Sequence, residues 1–283
     1  MSSQPGIRQF AVVGNPIKHS RSPAIHQMFA AQTGVALEYS TLLSPLDGFA
    51  ETVGQFFAAG GCGLNITVPF KEQAYVLSAK LSERARLAGA VNTLWQQDGQ
   101  LNGCNTDGLG LLSDLQRLNA PLEGARILLI GAGGASKGVV YPLLNAGCAR
   151  LHIVNRTEER AQAMRAHFSS QLPDYATRMS AGGLLQAEGE WDLVINATSS
   201  GLQDTAPELP GVRYAADALA YDMLYAALPT SFMRQAAEAG AHRCVDGLGM
   251  LVGQAAASFA IWNGMTPQLE PVLRELRRQL QEP

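Results

Sequence analysis

The glycine-rich segment GAGGASKG, residues 131–138, directly follows the apolar run Ile127–Ile130, and Asn155, Arg156 and Thr157 follow the next apolar run, Leu151–Val154. Strand, glycine turn and helix in that order suit a pyrophosphate, which needs a tight turn, a backbone free of Cβ atoms and the unpaired N–H groups of a helix N-terminus. Gly131, Ala132, Gly133, Gly134 and Ala135 supply these, although Ser136 stands where the usual GxGxxG pattern has its last glycine. A site for NAD ordinarily places Asp or Glu at the end of the second strand to bind the ribose 2′-hydroxyl. Here Arg156 stands there, with Arg160 one helical turn further on. Two guanidinium groups suit a 2′-phosphate, which a carboxylate would repel, so the implied chemistry is redox with NADP(H).

Polar residues cluster at the C-terminal ends of three further predicted strands, the edge where open α/β sheets bind ligands. They are Ser20 and Ser22 in HSRSP, Asn65, Thr67 and Lys71 in NITVPFK, and Asn92 with Asp107 in AVNT and NTDG. Taken singly, each has a plainer reading: Ser22 as a helix cap, Asn92 and Asn105 as turn residues, Lys71 as a solvated charge. All three clusters ahead of a glycine-rich nucleotide unit make coincidence a poor account.

The elements that must position these residues alternate between short apolar runs and helical patterns, as parallel α/β folds do. Phe10–Val13 leads to a helix capped by Ser22, with Pro23 at its first position and Gly34 at its end. Leu37–Leu43, a helix over Phe49–Ala59 and the run Leu64–Val68 complete a βαβαβ beginning. Two short helices follow, then a hairpin from Val91–Trp95 that turns at Asp98-Gly99. A helix from Asp107 to Asn119 leads to a second alternating unit with strands at Arg126–Ile130, Leu151–Val154, Asp192–Asn196, Ala220–Met223 and Cys244–Asp246. Only helices remain after that, Met250–Trp262 and Gln268–Leu280. So short a helical tail cannot bury a core of its own, so it is expected to return to the first domain. The expected fold class is α/β in two domains. Residues 1–107 plus 247–283 form a substrate domain with a mostly parallel sheet, and residues 108–246 an inserted Rossmann-like NADP domain.

Bulk properties narrow the function further. With 21 Lys and Arg against 24 Asp and Glu, and no long basic run, the chain lacks the charge that phosphate backbones or membrane surfaces attract, so neither nucleic acid nor membrane is an expected partner. Cys62, Cys104, Cys148 and Cys244 are widely scattered, without zinc, redox or disulfide spacing, as in a reducing cytoplasm. The opening MSSQPGIRQF lacks a basic segment followed by an apolar stretch, which also points to a cytoplasmic protein. His19 and His26 do not form a single-turn pair, and no metal is expected.

The motifs GNPIKHSRSPAIH, GLNITVPFKE, AGAVNT, GCNTDG, GAGGASKG, NRTEERA, NATSSG and DGLGMLVGQA run over nearly the whole chain. Together they resemble the shikimate dehydrogenases of aromatic amino acid (chorismate) biosynthesis. The resemblance implies reversible reduction of 3-dehydroshikimate to shikimate by NADPH. It assigns Ser20 and Ser22 to the substrate carboxylate, and Asn65, Thr67, Asn92, Asp107 and Gln254 to the ring hydroxyls. Lys71 and Asp107 become the catalytic pair, with Lys71 as general acid and base. Thr198 and Ser199 would lie beside the cofactor, Met223 and Gly247 near the nicotinamide, and Tyr225 near the substrate. The chain departs from the family after Tyr225, where Ala226-Ala227 replaces the more usual Asn-Pro or similar pair, and at Arg21, where Leu or Lys is commoner.

Two rival functions are kept beside this one. A quinate-using relative tends to alter the second serine or the threonine, or to place an acid after the second nucleotide strand, whereas Ser22, Thr67 and Arg156 are present here. A non-catalytic NADP sensor on the same fold has no use for both Lys71 and Asp107. The expected assembly is a monomer or a homodimer.

Overall fold

The computed structural model describes residues 6–198 and 200–282, which fold as two compact α/β units. The first contains β1 (Arg8–Gly14), α1 (Ser22–Thr33), β2 (Leu37–Leu43), α2 (Phe49–Ala58), β3 (Gly63–Ile66), α3 (Lys71–Leu77), β4 (Lys80–Leu81), α4 (Glu83–Ala88), β5 (Thr93–Gln97) and β6 (Gln100–Cys104). Its sheet runs β2-β1-β3-β5-β6-β4. The βαβαβ beginning makes the three parallel strands, while β5 and β6 are antiparallel neighbours. Asp98 and Gly99 turn this hairpin at φ 52° and 72°, the left-handed pair that matches the twist of two-residue hairpins.

One face of this sheet buries Val13, Leu64, Ile66 and Leu94 against Phe49, Phe57 and Phe70. On the other, Trp262 stacks on Phe10 with ring centroids 4.9 Å apart and donates its indole N–H to Leu94 O at 3.2 Å. A Cβ at Gly63 would stand 2.5 Å from that indole nitrogen, so the strand must have glycine there. Through such contacts residues 252–274 belong to the first unit.

A helix, α5 (Asp107–Arg117), leads into the second unit: β7 (Arg126–Ile130), α6 (Gly134–Asn145), β8 (Arg150–Val154), α7 (Glu158–Gln171), β9 (Met179–Gly182), β10 (Gly189–Asn196), β11 (Val212–Asp222), α8 (Ser231–Glu238) and β12 (Arg243–Asp246). Its strands are all parallel in the order β12-β11-β10-β7-β8-β9. The order reverses between β7 and β10, where doubly wound sheets bind nucleotides. Two helices, α9 (Leu248–Asn263) and α10 (Leu269–Gln281), end the described chain. Among the described residues no helix is long and apolar enough to cross a membrane.

Several details differ from the sequence-based expectations. Ser22 does not cap α1: it is the first helical residue, Arg21 occupies the cap position, and the Ser20 hydroxyl accepts the Ser22 N–H at 3.3 Å. The short strands β4 and β9 were not anticipated. The two compact units divide within α5 and α9, and α10 from Glu275 onward counts with the second unit, where Arg277 pairs with Asp246.

Candidate active site

Lys71 opens α3 just beyond the end of β3, and its carbonyl accepts the Val91 N–H at 2.9 Å. Asp107 opens α5, where the helix N-terminus favours a carboxylate, and its own N–H is held by Asn105 Oδ1 at 3.1 Å. The two side chains meet: Lys71 Nζ lies 2.5 Å from Asp107 Oδ2, with the lysine side chain 19% and the aspartate 9% exposed. Asn92 Nδ2 donates to the other oxygen, Asp107 Oδ1, at 2.8 Å. Each carboxylate oxygen therefore has its own donor, which fixes the plane of the group and the direction of the ammonium.

Asn92 owes its orientation to a backbone group that can only donate. The Thr106 N–H points at Asn92 Oδ1 at 2.9 Å, which leaves the amide nitrogen facing Asp107. Behind it stands a lattice of buried hydroxyls, in which Thr93, Thr106 and Ser258 are all inaccessible to solvent. Their oxygens lie 2.8 Å apart for Thr93 and Ser258 and 3.2 Å apart for Thr106 and Ser258. Asn65 joins the same lattice, donating to Ser258 Oγ at 3.0 Å and to Asn92 O at 3.1 Å while accepting the Tyr39 hydroxyl at 2.7 Å. Burial pushes the Tyr39 phenol well above its usual range, against a smaller downward pull from the Ser22 side chain. Tyr39 also stacks on His26 with centroids 4.2 Å apart, and burial drives the pKa of that imidazole down to about 3.

The first unit thus brings together Lys71, Asp107, Asn92 and Asn65, with Gln254 Oε1 of α9 3.5 Å from the Asn92 amide nitrogen. Ser20 attaches through the Ser22 N–H. Thr67 donates its N–H to Val13 O at 2.9 Å and packs against Gly14, where a Cβ would stand 2.5 Å from its methyl carbon. Sequence reasoning did not single out Tyr39, Thr93, Thr106 or Ser258. The motifs AVNT and NTDG contained the two threonines, and Ser258 is a hydroxyl in the otherwise apolar stretch AAASFAIW one turn after Gln254.

In the second unit Gly131 ends β7 with φ 110°, its N–H bonded to Val154 O at 2.7 Å, and a Cβ there would stand 3.1 Å from Ala197 O. The loop after β7 and the loop after β10 therefore touch. Ala132 and Ala135 are half-buried beside Gly133 and Gly134. Helix α6 begins without a side-chain cap, and nothing lies within 4 Å of where Gly133 or Gly134 would carry a Cβ. A helix start without a side-chain cap, beside glycines with open space where a Cβ would stand, fits a pyrophosphate.

Asn155 turns the chain after β8 by donating to Thr157 O at 2.8 Å, and Arg156 and Arg160 stand exposed on either side of Thr157. Thr198 donates its hydroxyl to Asn196 Oδ1 at 2.7 Å, and Asn196 Nδ2 donates to the buried Asp222 at 3.1 Å. Burial raises the Asp222 pKa, opposed by bonds from the Thr230 hydroxyl, the Leu224 N–H and Asn196. Met223 and Gly247 meet at the ends of β11 and β12, where a Cβ on Gly247 would stand 2.2 Å from Met223 O. Ser199 lies outside the described residues.

A lysine oriented by a carboxylate, and a parallel nucleotide unit with an uncapped glycine turn and two exposed arginines, define a pyridine-nucleotide-dependent oxidoreductase. Family models agree on which kind. The shikimate dehydrogenase substrate binding domain matches residues 12–94, shikimate / quinate 5-dehydrogenase matches 114–203, and the shikimate 5′-dehydrogenase C-terminal domain matches 247–277. A shikimate dehydrogenase (NADP(+)) of Bordetella petrii is 60% identical over 283 residues, covering 99% of each chain. Among solved structures, the Ael1 enzyme of Pseudomonas putida superposes with TM-score 0.87 at 41% identity, covering 98% of this chain and 99% of that one. A Thermus thermophilus shikimate 5-dehydrogenase, solved with NADP(H) and shikimate, superposes with TM-score 0.83 at 34% identity, covering 97% and 100%. The chain belongs to the shikimate dehydrogenase family.

Proposed function

We propose that this protein catalyses the reversible reduction of 3-dehydroshikimate to shikimate with NADPH, a step of aromatic amino acid biosynthesis. The observation that carries this reading is the Lys71–Asp107–Asn92 chain: an ammonium held at 2.5 Å by a carboxylate whose other oxygen is occupied. Bound NADPH supplies the hydride that converts the ketone carbon to an alcohol carbon. Gly131, Ala132, Gly133, Gly134 and Ala135 would hold its pyrophosphate, Asn155, Arg156, Thr157 and Arg160 its 2′-phosphate, and Thr198, Met223 and Gly247 its nicotinamide end.

Lys71 supports the ketone oxygen as negative charge develops there, then delivers the proton that completes the hydroxyl. Asp107 keeps the ammonium aimed through both half-reactions. Ser20 and Ser22 take the substrate carboxylate; Asn65, Thr67, Asn92, Asp107, Tyr225 and Gln254 take its hydroxyls. A buried hydroxyl left without a partner costs about 1–3 kcal/mol, so a lattice of neutral donors and acceptors selects a triol over a less oxygenated analogue. The scattered free thiols support a cytoplasmic location.

Parallel assays of shikimate and quinate with NADP+ and with NAD+ test the proposal. Shikimate with NADP+ should turn over fastest, and matching rates for quinate with NAD+ would overturn it.

A further inference from the structure

The loop after β11 carries Tyr225 between Leu224 and Ala226-Ala227, whose apolar side chains have no hydrogen-bonding group, so its fastening must come from elsewhere. On the Met223 side the backbone is held three times. Met223 N–H donates to Asn196 O at 2.9 Å, Leu224 N–H donates to Asp222 Oδ1 at 3.1 Å, and Leu224 O accepts the Gly247 N–H at 3.0 Å. Beyond Tyr225 the fastening has a different origin. Ala226 donates its N–H to Asp246 Oδ2 at 3.4 Å, and its carbonyl accepts Arg277 Nη1 at 3.2 Å. The same guanidinium grips Asp246 with two parallel bonds, 2.9 Å to Oδ2 and 2.5 Å to Oδ1. Arg277 belongs to α10, far away in sequence.

We propose that Arg277 is a positioning residue for the reaction: by gripping Asp246 and Ala226 together, it sets the position of Tyr225. The inference rests on the proposed role of Tyr225 toward the substrate. Its physical basis is the contrast in burial across the pair. The Arg277 side chain is 35% exposed, but the Asp246 side chain is only 6% exposed. Removing one partner of such a pair takes two charge-assisted bonds from a buried carboxylate and leaves it the long N–H contacts of Ala226 at 3.4 Å and Leu248 at 3.3 Å. Without the guanidinium the carboxylate is free to turn, and Ala226 loses the bond to its carbonyl together with the fixed acceptor for its N–H. The neighbouring ion pair of Arg278 with Glu275 involves two largely exposed side chains, at 56% and 36%, and has no loop attached; it serves as the control. Lysine cannot replace Arg277 in full, because a single ammonium cannot grip both carboxylate oxygens and the Ala226 carbonyl in one plane.

The test compares Arg277→Ala, Arg277→Lys, Arg278→Ala, Tyr225→Phe and the Arg277→Ala/Tyr225→Phe double variant, reading kcat and KM for shikimate and the Kd of NADP+. We expect Arg277→Ala to raise KM for shikimate about tenfold, Arg277→Lys to raise it by less, and Arg278→Ala to leave it unchanged, with NADP+ affinity within about twofold throughout. In the Tyr225→Phe background Arg277→Ala should change KM by less than about twofold, since the residue it positions has already lost its hydroxyl. If Tyr225→Phe raises KM while folded Arg277→Ala or Arg277→Lys keeps the wild-type value, the clamp is overturned and the role of Tyr225 stands. If Tyr225→Phe leaves KM unchanged, the premise about Tyr225 fails and the proposal fails with it. An equal effect of Arg277→Ala in both backgrounds also overturns it, because the arginine would then act by another route.

Discussion

The two proposed ligand-holding regions are built on opposite principles. Around Lys71 and Asp107 the polar groups are buried and bonded to one another, with Asn65, Asn92, Thr93, Thr106 and Ser258 all at most 5% exposed. At the glycine turn and the arginine pair the groups face solvent and find few partners within the protein. The first arrangement suits the hydroxyl-bearing ring of a small substrate, whose recognition depends on correctly aimed hydrogen bonds. The second suits a multiply charged ligand that carries its own field and needs only open N–H groups and cations. On the proposed assignment, specificity for substrate is stored in the fold, and specificity for cofactor in a few replaceable surface charges.

Three perturbations sharpen that contrast, in falling order of effect. Lys71→Ala should lower kcat by at least about 100-fold, about 2.7 kcal/mol on the barrier, with little change in KM, because the ammonium acts on the transition state. A large rise in KM at unaltered kcat would make Lys71 a substrate ligand only. Next, Arg156→Ala should weaken NADP+ about 30-fold while leaving NAD+ nearly untouched, and the wild-type preference for NADP+ should shrink in high salt, which screens exposed charges. Equal weakening of both nucleotides, measured by titration, would remove the 2′-phosphate assignment.

The third concerns His26, the ring stacked against Tyr39 beneath Asn65. Its folded pKa of about 3 lies below the ordinary 6.5, so below that value the unfolded chain takes up a proton that the folded chain refuses. Stability should therefore fall by about 1.4 kcal/mol per pH unit as acid is added from about pH 6.5 toward 3. In His26→Phe that part of the slope should vanish. Urea unfolding of both proteins at about pH 5 and 7 checks it, and identical slopes would contradict the burial of a neutral imidazole.

Much of this architecture was legible in the chain because its signals are local. Gly131, Gly133 and Gly134 after an apolar strand, Gly34 at a helix end and Asp98-Gly99 between two strands each state their backbone conformation directly. Strand β9 escaped notice because Met179–Gly182 is short, small-residued and at the sheet edge. Most of β11 escaped because its first half, up to Asp217, is partly exposed and pairs across a register shift in β10. The site divides in the same way. Lys71, Asp107 and Asn92 lie in recognisable motifs, whereas Ser258 and Tyr39 matter only through partners 193 and 26 residues distant. Arg277 reads as one more solvated helix arginine until its carboxylate partner is seen. Nothing in one-dimensional spacing records such pairings.

The tryptophans give this division of labour a spectroscopic form. Trp262 packs on Phe10 within the first unit, where Trp95 also resides, while Trp191 is buried in the second, its indole N–H bonded to Ala187 O at 2.9 Å. A chain keeping only Trp191 would report the environment of the nucleotide unit alone, and one keeping only Trp262 that of the substrate unit. The protein thus has a separate intrinsic fluorophore for each half, with which the order of their unfolding can be followed without attaching a label.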